Sequence, residues 1–334
     1  MTRVLAVRLD NDGDVLLAGP AIRALAAGAE HVTLLCGPRG RQAAALLPGV
    51  DDILCWRAPW IDPEPEPVAR GDVEMLVERV AEVGADAAII FGSFHQSPLP
   101  TALLLRMAGV PWIGATSVDY PGALLDLRHR IEDDVHEVER SLDLVRAAGF
   151  HLPLGDRGEL RVTGVPSQRP ADDYVVVHPG ASAPARAWGP ERNAELVAAL
   201  VAAGRRVIVT GSPSERELTA LVAGSGAIDL GGATDFAGLA AVIAGADAIV
   251  VGNTGPAHLA AAVGTPVVSL YAPTVPAVRW RPWRVPHELL YVDVPCAGCR
   301  ARVCPVDGHP CLGGVEVADV LAAVERVAPA GVPA

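Results

Sequence analysis

The sequence contains no lysine: the 27 basic residues among its 334 positions are all arginine, against 39 acidic ones. That absence excludes a Schiff-base enzyme, a pyridoxal phosphate attachment and the lysine of a Walker A loop. The net charge of −12 leaves no excess of positive charge for a nucleic-acid backbone, although a local basic pocket is compatible with it. Aromatic residues are scarce, 4% against 51% hydrophobic overall, so the apolar content comes from Ala, Val and Leu, which suits helices packed on strands. No GxGxxG fingerprint follows any expected strand, since Gly224-Ser225-Gly226 precedes one, and this argues against a dinucleotide oxidoreductase. The most apolar stretch, 237–272, is interrupted by Asp247, Asn253, His258 and several Gly and Pro. It reads as buried strands and helices rather than a membrane span. Met1-Thr2-Arg3 leads directly into an apolar run with no small-residue cleavage site after it. The expectation is a cytoplasmic protein without a transmembrane segment, with peripheral membrane contact left open.

What is present repeats twice. A chain of this length predicts two domains. Arg3–Leu9 is a strand-length apolar run, Asp10–Asp14 a turn-rich loop, and Val15–Ala27 an amphipathic helix. Val32–Cys36 and Ala87–Phe91 are further strands. Residues 151–172 carry Gly, Pro and polar residues without helical periodicity, with a short strand expected at Leu160–Val162. The pattern then restarts with strands at Tyr174–Val177, Arg206–Thr210, Ala227–Leu230, Ala248–Val251 and Val267–Tyr271. Helices are expected over Glu191–Ala203, Phe236–Gly245, Ala257–Val263 and Val315–Val327. The alternation predicts an α/β fold with parallel sheets: an N-terminal domain over 1–155, a linker over 156–172 and a C-terminal domain over 173–334. Such sheets bind ligands at the carboxyl ends of their strands.

Four loops could carry chemistry. In DNDGD (10–14), Gly13 allows close backbone approach and Asp14 could present a carboxylate, or the acids could simply cap the helix. In HPGASAPARAW (178–188), backbone N–H groups, the Ser182 hydroxyl and Arg186 could meet an anion, or the loop could be a surface loop with a solvated Arg. In VGNTGPAHLAAAVGTP (251–266), a strand ends in Gly252-Asn253-Thr254-Gly255 and Pro256 suits a first helical turn. Free N–H groups there would cradle a phosphate, with His258 in the same turn. The bland alternative is a tight turn with a packed histidine. Finally, Cys296, Cys299, Cys304 and Cys311 lie within sixteen residues, with His309 among them. They suit a structural zinc or iron site, two disulfides, or reduced thiols, disulfides being the weakest of these in a cytosolic chain.

Taken together, RLDNDGDVLLAGPAIRAL (8–25), HPGASAPARAWGPERNAEL (178–196), GSPSERE (211–217), GNTGPAHLAAAVGTPVVSLYAP (252–273) and the terminal CAGCRARVCPVDGHPC resemble glycosyltransferase family 9, the ADP-heptose:lipopolysaccharide heptosyltransferases and their relatives. The resemblance runs nearly end to end. It implies a GT-B architecture: two facing Rossmann-like domains with parallel sheets, the acceptor mainly on the first and the nucleotide-sugar on the second. It implies an inverting transfer, most simply of a heptose from an ADP-heptose type donor, with Asp14 as catalytic base and no cofactor required. The donor site it implies comprises Gly180, Ser182, Arg186, Glu215, Asn253, Thr254, Gly255 and His258. Arg186 falls where members place a basic residue, often Lys, against the diphosphate, and Glu215 matches an acid that holds the ribose. Acceptor contacts fall to Gly13, His95 and Gln96. Two departures stand out. Many members carry Asp at the position of Asn253, which donates a hydrogen bond and bears no charge. The stretches Phe91–Ser97 and Pro111–Gly114 are largely neutral where lipopolysaccharide enzymes tend to be basic, so the acceptor is open to another glycan or a small molecule. A nucleotide-sugar 2-epimerase and a non-catalytic nucleotide-sugar binder are the alternatives.

Overall fold

The computed structural model describes residues 2–131, 134–165 and 173–329. It divides into two compact units, Met1–Thr163 and Gly164–Ala334. In the first, β1 (Arg3–Arg8), β2 (His31–Cys36), β3 (Asp52–Cys55), β4 (Ala87–Ile90), β5 (Trp112–Thr116) and β6 (Leu127–His129) form one sheet. In the second, β7 (Tyr174–His178), β8 (Arg206–Gly211), β9 (Ile228–Gly231), β10 (Ala248–Gly252), β11 (Val267–Leu270) and β12 (His287–Leu290) form another. The strand orders are β3-β2-β1-β4-β5-β6 and β12-β11-β10-β7-β8-β9, the same doubly wound order twice when each is read in its own sequence. Every strand pair is parallel.

The sequence explains why. Parallel strands covered on both faces read as unbroken apolar runs rather than alternations. The central strands β1 and β7 carry VLAV and VVV and are closed to solvent along almost their whole length. In the first unit, Leu5, Val7, Ile90 and Ile113 pack with Leu76 and Leu105 of the covering helices. In the second, Val177, Val209 and Val250 pack with Leu196, Leu200 and Val320. In such a sheet the strand order reverses between its two central strands, β1 and β4 here, and β7 and β10. Loops leaving their carboxyl ends therefore diverge and open a crevice for a ligand within each unit.

Two details differ from the sequence expectation. The first helix spans Asp12–Gly28, so it begins three residues before Val15 and takes Asp14 into its first turn. No strand forms at Leu160–Val162. That segment is instead held against the first unit by side chains. Arg23 binds the Asp156 carboxylate through two nitrogens at 2.7 and 3.0 Å, Leu160 is buried, and Thr163 N–H donates to the Leu46 carbonyl. Residues 166–172 of the expected linker lie outside the described residues. Among the described residues, no helix is long and apolar enough to cross a membrane.

Candidate functional site

The crevice of the first unit is organised around one buried guanidinium. Arg8 closes β1 at 1% exposure, a cation at the end of an otherwise apolar strand. Its Nε lies 2.9 Å from Asp10, its Nη2 3.0 Å from Asp14 Oδ1 and its Nη1 3.6 Å from Glu137. Nη2 also donates to Ser93 Oγ at 2.8 Å. Gln96 ties the loop after β4 into the same cluster, accepting from Ser93 N–H at 2.9 Å and donating to Asp10. Burial opposes the charge on Arg8, but Asp10, Asp14 and Glu137 outweigh it and hold the group firmly cationic. Burial pushes Glu137 up to about 7 despite the opposing pull of Arg8 and Arg140. It likewise raises Asp10 above the ordinary carboxylate range, with Arg8 pulling the other way.

The capping alternative for the DNDGD loop is not what forms. Asn11 occupies the N-cap position, and its side chain makes no capping bond. Asp12 accepts from Ala43 N–H at 2.9 Å, and burial raises it to about 6. Asp14 turns to Arg8. The side chains of Asp10, Asp14 and Glu137 are 9%, 22% and 2% exposed, so Asp14 is the carboxylate of the cluster most open to a ligand. Of the expected acceptor residues, Gly13 is buried in the first helical turn and His95 is exposed with its ring edge-on to Phe94. Gln96 is engaged at both ends within the cluster. Sequence reasoning missed Arg8, Ser93 and Glu137. Only Arg8 carried a signal, as a charge terminating an apolar strand.

The crevice of the second unit joins the loops after β7 and β10. His178 ends β7, buried, with Nδ1 3.0 Å from Thr210 Oγ1. Burial holds it below the usual imidazole range, while Glu215 opposes that. Glu215 closes the short turn Pro213–Glu215 as the acid of a capping box. Its Oε2 accepts from Ser212 N–H at 2.7 Å and from the Ser212 hydroxyl at 2.8 Å. The Glu215 carboxylate lies where a side chain at Gly180 would have to stand, so glycine there lets the two loops meet. Ser182 is exposed, and Arg186 ends the turn Pro184–Arg186, half-buried. Among the described residues no side-chain hydrogen bond or ion pair engages Arg186.

The turn after β10 holds the strongest sign of a ligand. Asn253 is 6% exposed and donates through Nδ2 to the Ala272 carbonyl at 3.2 Å. Its Oδ1, the Thr254 hydroxyl and His258 Nδ1 are buried without a hydrogen-bond partner among the described residues. Buried polar atoms left unpaired are costly and rare, so three in one turn point to a group that completes them. They surround the start of the helix Gly255–Val263, whose cap residue Thr254 makes no side-chain capping bond. Burial and the nearby Arg186 charge push His258 down to about 4, so its imidazole is neutral at physiological pH. Gly252 passes under the loop after β7, and a Cβ there would stand 2.5 Å from the Arg186 carbonyl oxygen. Gly252→Ala is therefore expected to displace that backbone and weaken ligand binding at this turn by roughly tenfold, about 1.4 kcal/mol, in calorimetry with ADP as the probe, with the far-ultraviolet spectrum of the fold retained.

The cysteine segment straps onto this loop. His309 Nε2 lies 3.1 Å from the Ala185 carbonyl and Ala185 N–H donates to the Arg302 carbonyl at 3.0 Å. Cys296, Cys299, Cys304, Cys311 and His309 line one pocket with Ala185 and Thr274. All four thiols are free, and burial, then Cys304 and Cys296, push the Cys311 thiol up. Among the described residues, however, no three His, Cys, Asp or Glu side chains are arranged to hold a metal ion. Cys296 and Cys299 are exposed, Cys304 is half-buried and Cys311 is buried, and His309 engages the Ala185 carbonyl through one ring nitrogen.

Two doubly wound parallel sheets, each with polar loops at its switch point, define an α/β protein of two Rossmann-like units. The chain belongs to glycosyltransferase family 9 (heptosyltransferase), whose sequence model matches residues 75–309. It is 29% identical over 185 residues to lipopolysaccharide heptosyltransferase 3 of Escherichia coli, covering 52% of this chain and 51% of that protein. For the K12 protein of the same name the identity is 34% over 167 residues, covering 44% and 47%. The chain thus spans about half the length of the curated relatives it matches. Among solved structures, a family 9 glycosyl transferase from Veillonella parvula superposes with a TM-score of 0.77 at 17% identity, covering 98% of this chain and 97% of that one. E. coli heptosyltransferase WaaC with ADP superposes at 0.74 and 20% identity, covering 98% and 100%. At these identities the likeness speaks for the fold.

Proposed function

We propose that the protein is an inverting glycosyltransferase of the GT-B type, moving a heptose from a nucleoside diphosphate of the ADP-heptose kind to an acceptor hydroxyl. The observation that carries the reading is the set of unpaired buried polar atoms at Asn253, Thr254 and His258, beside an Arg186 with no side-chain partner among the described residues. A nucleoside-diphosphate sugar supplies what that turn lacks: phosphate oxygens as acceptors for the helix N–H groups, the Thr254 hydroxyl and His258, an anion for the guanidinium, and a sugar hydroxyl to donate to Asn253 Oδ1. The solved relative bound to ADP supports the same choice.

In this mechanism Asp14 accepts the proton of the acceptor hydroxyl as its oxygen attacks the anomeric carbon. The carbon–oxygen bond to the diphosphate breaks on the opposite face, and its electron pair leaves with the phosphate. Arg186, Ser182 and the amide groups at Gly255 stabilise the growing negative charge without having to reorganise. Gly180 gives backbone access, and Glu215 addresses the ribose hydroxyls. Gly13 and His95 contribute to the acceptor side, while Gln96 holds Asp10 in the cluster. The positive charge is supplied by the chain's own groups, so transfer is expected to proceed at an unchanged rate in excess EDTA.

The test is to incubate the protein with ADP-heptose and a panel of glycan and small-molecule acceptors. Mass spectrometry would follow transfer, and NMR the anomeric configuration of the product. Transfer with inverted configuration is the expected result. Retention, epimerisation of the donor without acceptor, binding without transfer, or activity abolished by EDTA and restored by Mg²⁺ would each overturn part or all of the reading.

A further inference from the structure

Glu137 is the member of the Arg8 cluster that the mechanism above leaves idle. It opens the helix Glu137–Ala147 and is not its cap, a role taken by the His136 ring, which accepts from Val138 N–H at 3.2 Å. The Glu137 side chain is 2% exposed and lies 3.6 Å from Arg8 Nη1, yet its Oε2 has no hydrogen-bond partner among the described residues. Burying a carboxylate this way is costly unless another group uses its charge. The cations acting on it among the described residues are Arg8 and, on its own helix, Arg140.

We propose that Glu137 is a positioning residue for the base, acting through Arg8 to govern how much of the guanidinium's charge Asp14 holds. The inference rests on Asp14 being the base. Three carboxyl groups share one guanidinium in a site nearly closed to water. With all three ionised, three negative charges share Arg8 and the pull of Arg140 on Glu137, an excess of negative charge that a low-dielectric interior disfavours. A proton on Glu137 relieves this and leaves Arg8 to Asp10 and Asp14. When Glu137 ionises, it draws on the same guanidinium, leaves Asp14 a smaller share, and so favours proton uptake from the acceptor.

Several charged and titratable groups among the described residues surround Glu137, including the buried His136 that precedes it on the chain. Arg8 faces Glu137 from β1, Asp10 from the loop after it and Asp14 from the first helix, while Arg140 lies one turn along. His95, in the loop after β4, acts on Asp10. Burial brings the ionisation of Glu137 to about 7, inside the range where enzyme rates are measured.

The experiment is the pH profile of kcat/KM for the acceptor in wild type, Glu137→Gln, Glu137→Asp and Asp14→Asn. Wild type is expected to gain about three- to tenfold across neutrality, the effect of one nearby charge partly screened by Arg8. Glu137→Gln should lose that step and stay at the low-pH level, Glu137→Asp should regain a step, and the donor KM should not move. A step that persists in Glu137→Gln, or a loss equal at every pH, overturns the inference. If Asp14→Asn collapses the rate while the step survives Glu137→Gln, only this inference fails. If Asp14→Asn turns over normally, the base assignment falls and takes this with it. Should Glu137→Gln not fold, ¹³C NMR of wild type with labelled Asp and Glu carboxyls replaces it. The Asp14 resonance must then respond as Glu137 titrates, and an Asp14 signal blind to that titration refutes the coupling.

Discussion

Asp14→Asn is expected to lower kcat by about 10²–10⁴-fold, the usual contribution of a positioned general base. The substitution keeps the side chain's size and removes its negative charge and its capacity to take a proton. Arg8 would still be held by Asp10 at 2.9 Å, by Ser93 Oγ at 2.8 Å and by Glu137 at 3.6 Å, so the cluster and the fold should survive. The proposed donor site is built from residues of the second unit, and nucleoside-diphosphate affinity should therefore stay within about twofold of wild type. Steady-state kinetics with saturating donor, together with calorimetric titration of ADP, measure both halves. A variant with near-wild-type turnover would show that Asp14 is not the base. Asp10→Asn is the informative contrast, because Asp10 is largely enclosed and already bound by Gln96.

Arg186→Ala is expected to weaken nucleoside-diphosphate binding by roughly 10- to 150-fold. This corresponds to the loss of about 1.5–3 kcal/mol for hydrogen bonds to a charged group. Arg186 has no side-chain partner among the described residues, so the change should cost little stability and appear almost wholly in Kd. Acceptor affinity should be unaffected. His258 sharpens the expectation. Its imidazole is neutral from about pH 4 upward, so it contributes a hydrogen bond and no charge at physiological pH. The ADP affinity of wild type should therefore show no loss attributable to His258 as pH rises from 6 to 8. Calorimetry with an unchanged Kd in Arg186→Ala would remove the guanidinium from the diphosphate site.

Much of this was legible in the linear chain, for a local reason. A loop that follows an apolar run and opens a helix presents unpaired N–H groups whatever the rest of the molecule does. The segments around Asp14, Arg186 and Asn253-Thr254-Gly255 could therefore be picked out before any contact was known. Element boundaries were less secure. The first helix begins at Asp12 because Asn11 takes the extended conformation of an N-cap, which three consecutive acid-or-amide residues do not specify. The segment around Leu160 looked like a strand by composition, but it follows Arg23 and Asp156 instead of a sheet edge. The cysteines are a different case: their spacing suits a metal, and the fold gathers all four with His309 along one pocket, a convergence that spacing alone does not guarantee.

The sequence by itself determined that the chain is a lysine-free, acidic, doubly repeated α/β protein whose cationic chemistry falls to arginine. Strand hydrophobicity and helix-start loops are encoded over a few neighbouring residues, and those were readable. Only the tertiary structure decided which charges share a site. Arg8 at the end of β1, Ser93 after β4 and Glu137 on a helix late in the unit meet because a doubly wound sheet gathers the carboxyl ends of distant strands at its switch point. Nothing in the local sequence of Glu137 distinguishes it from a solvated helix acid; burial beside a shared guanidinium does.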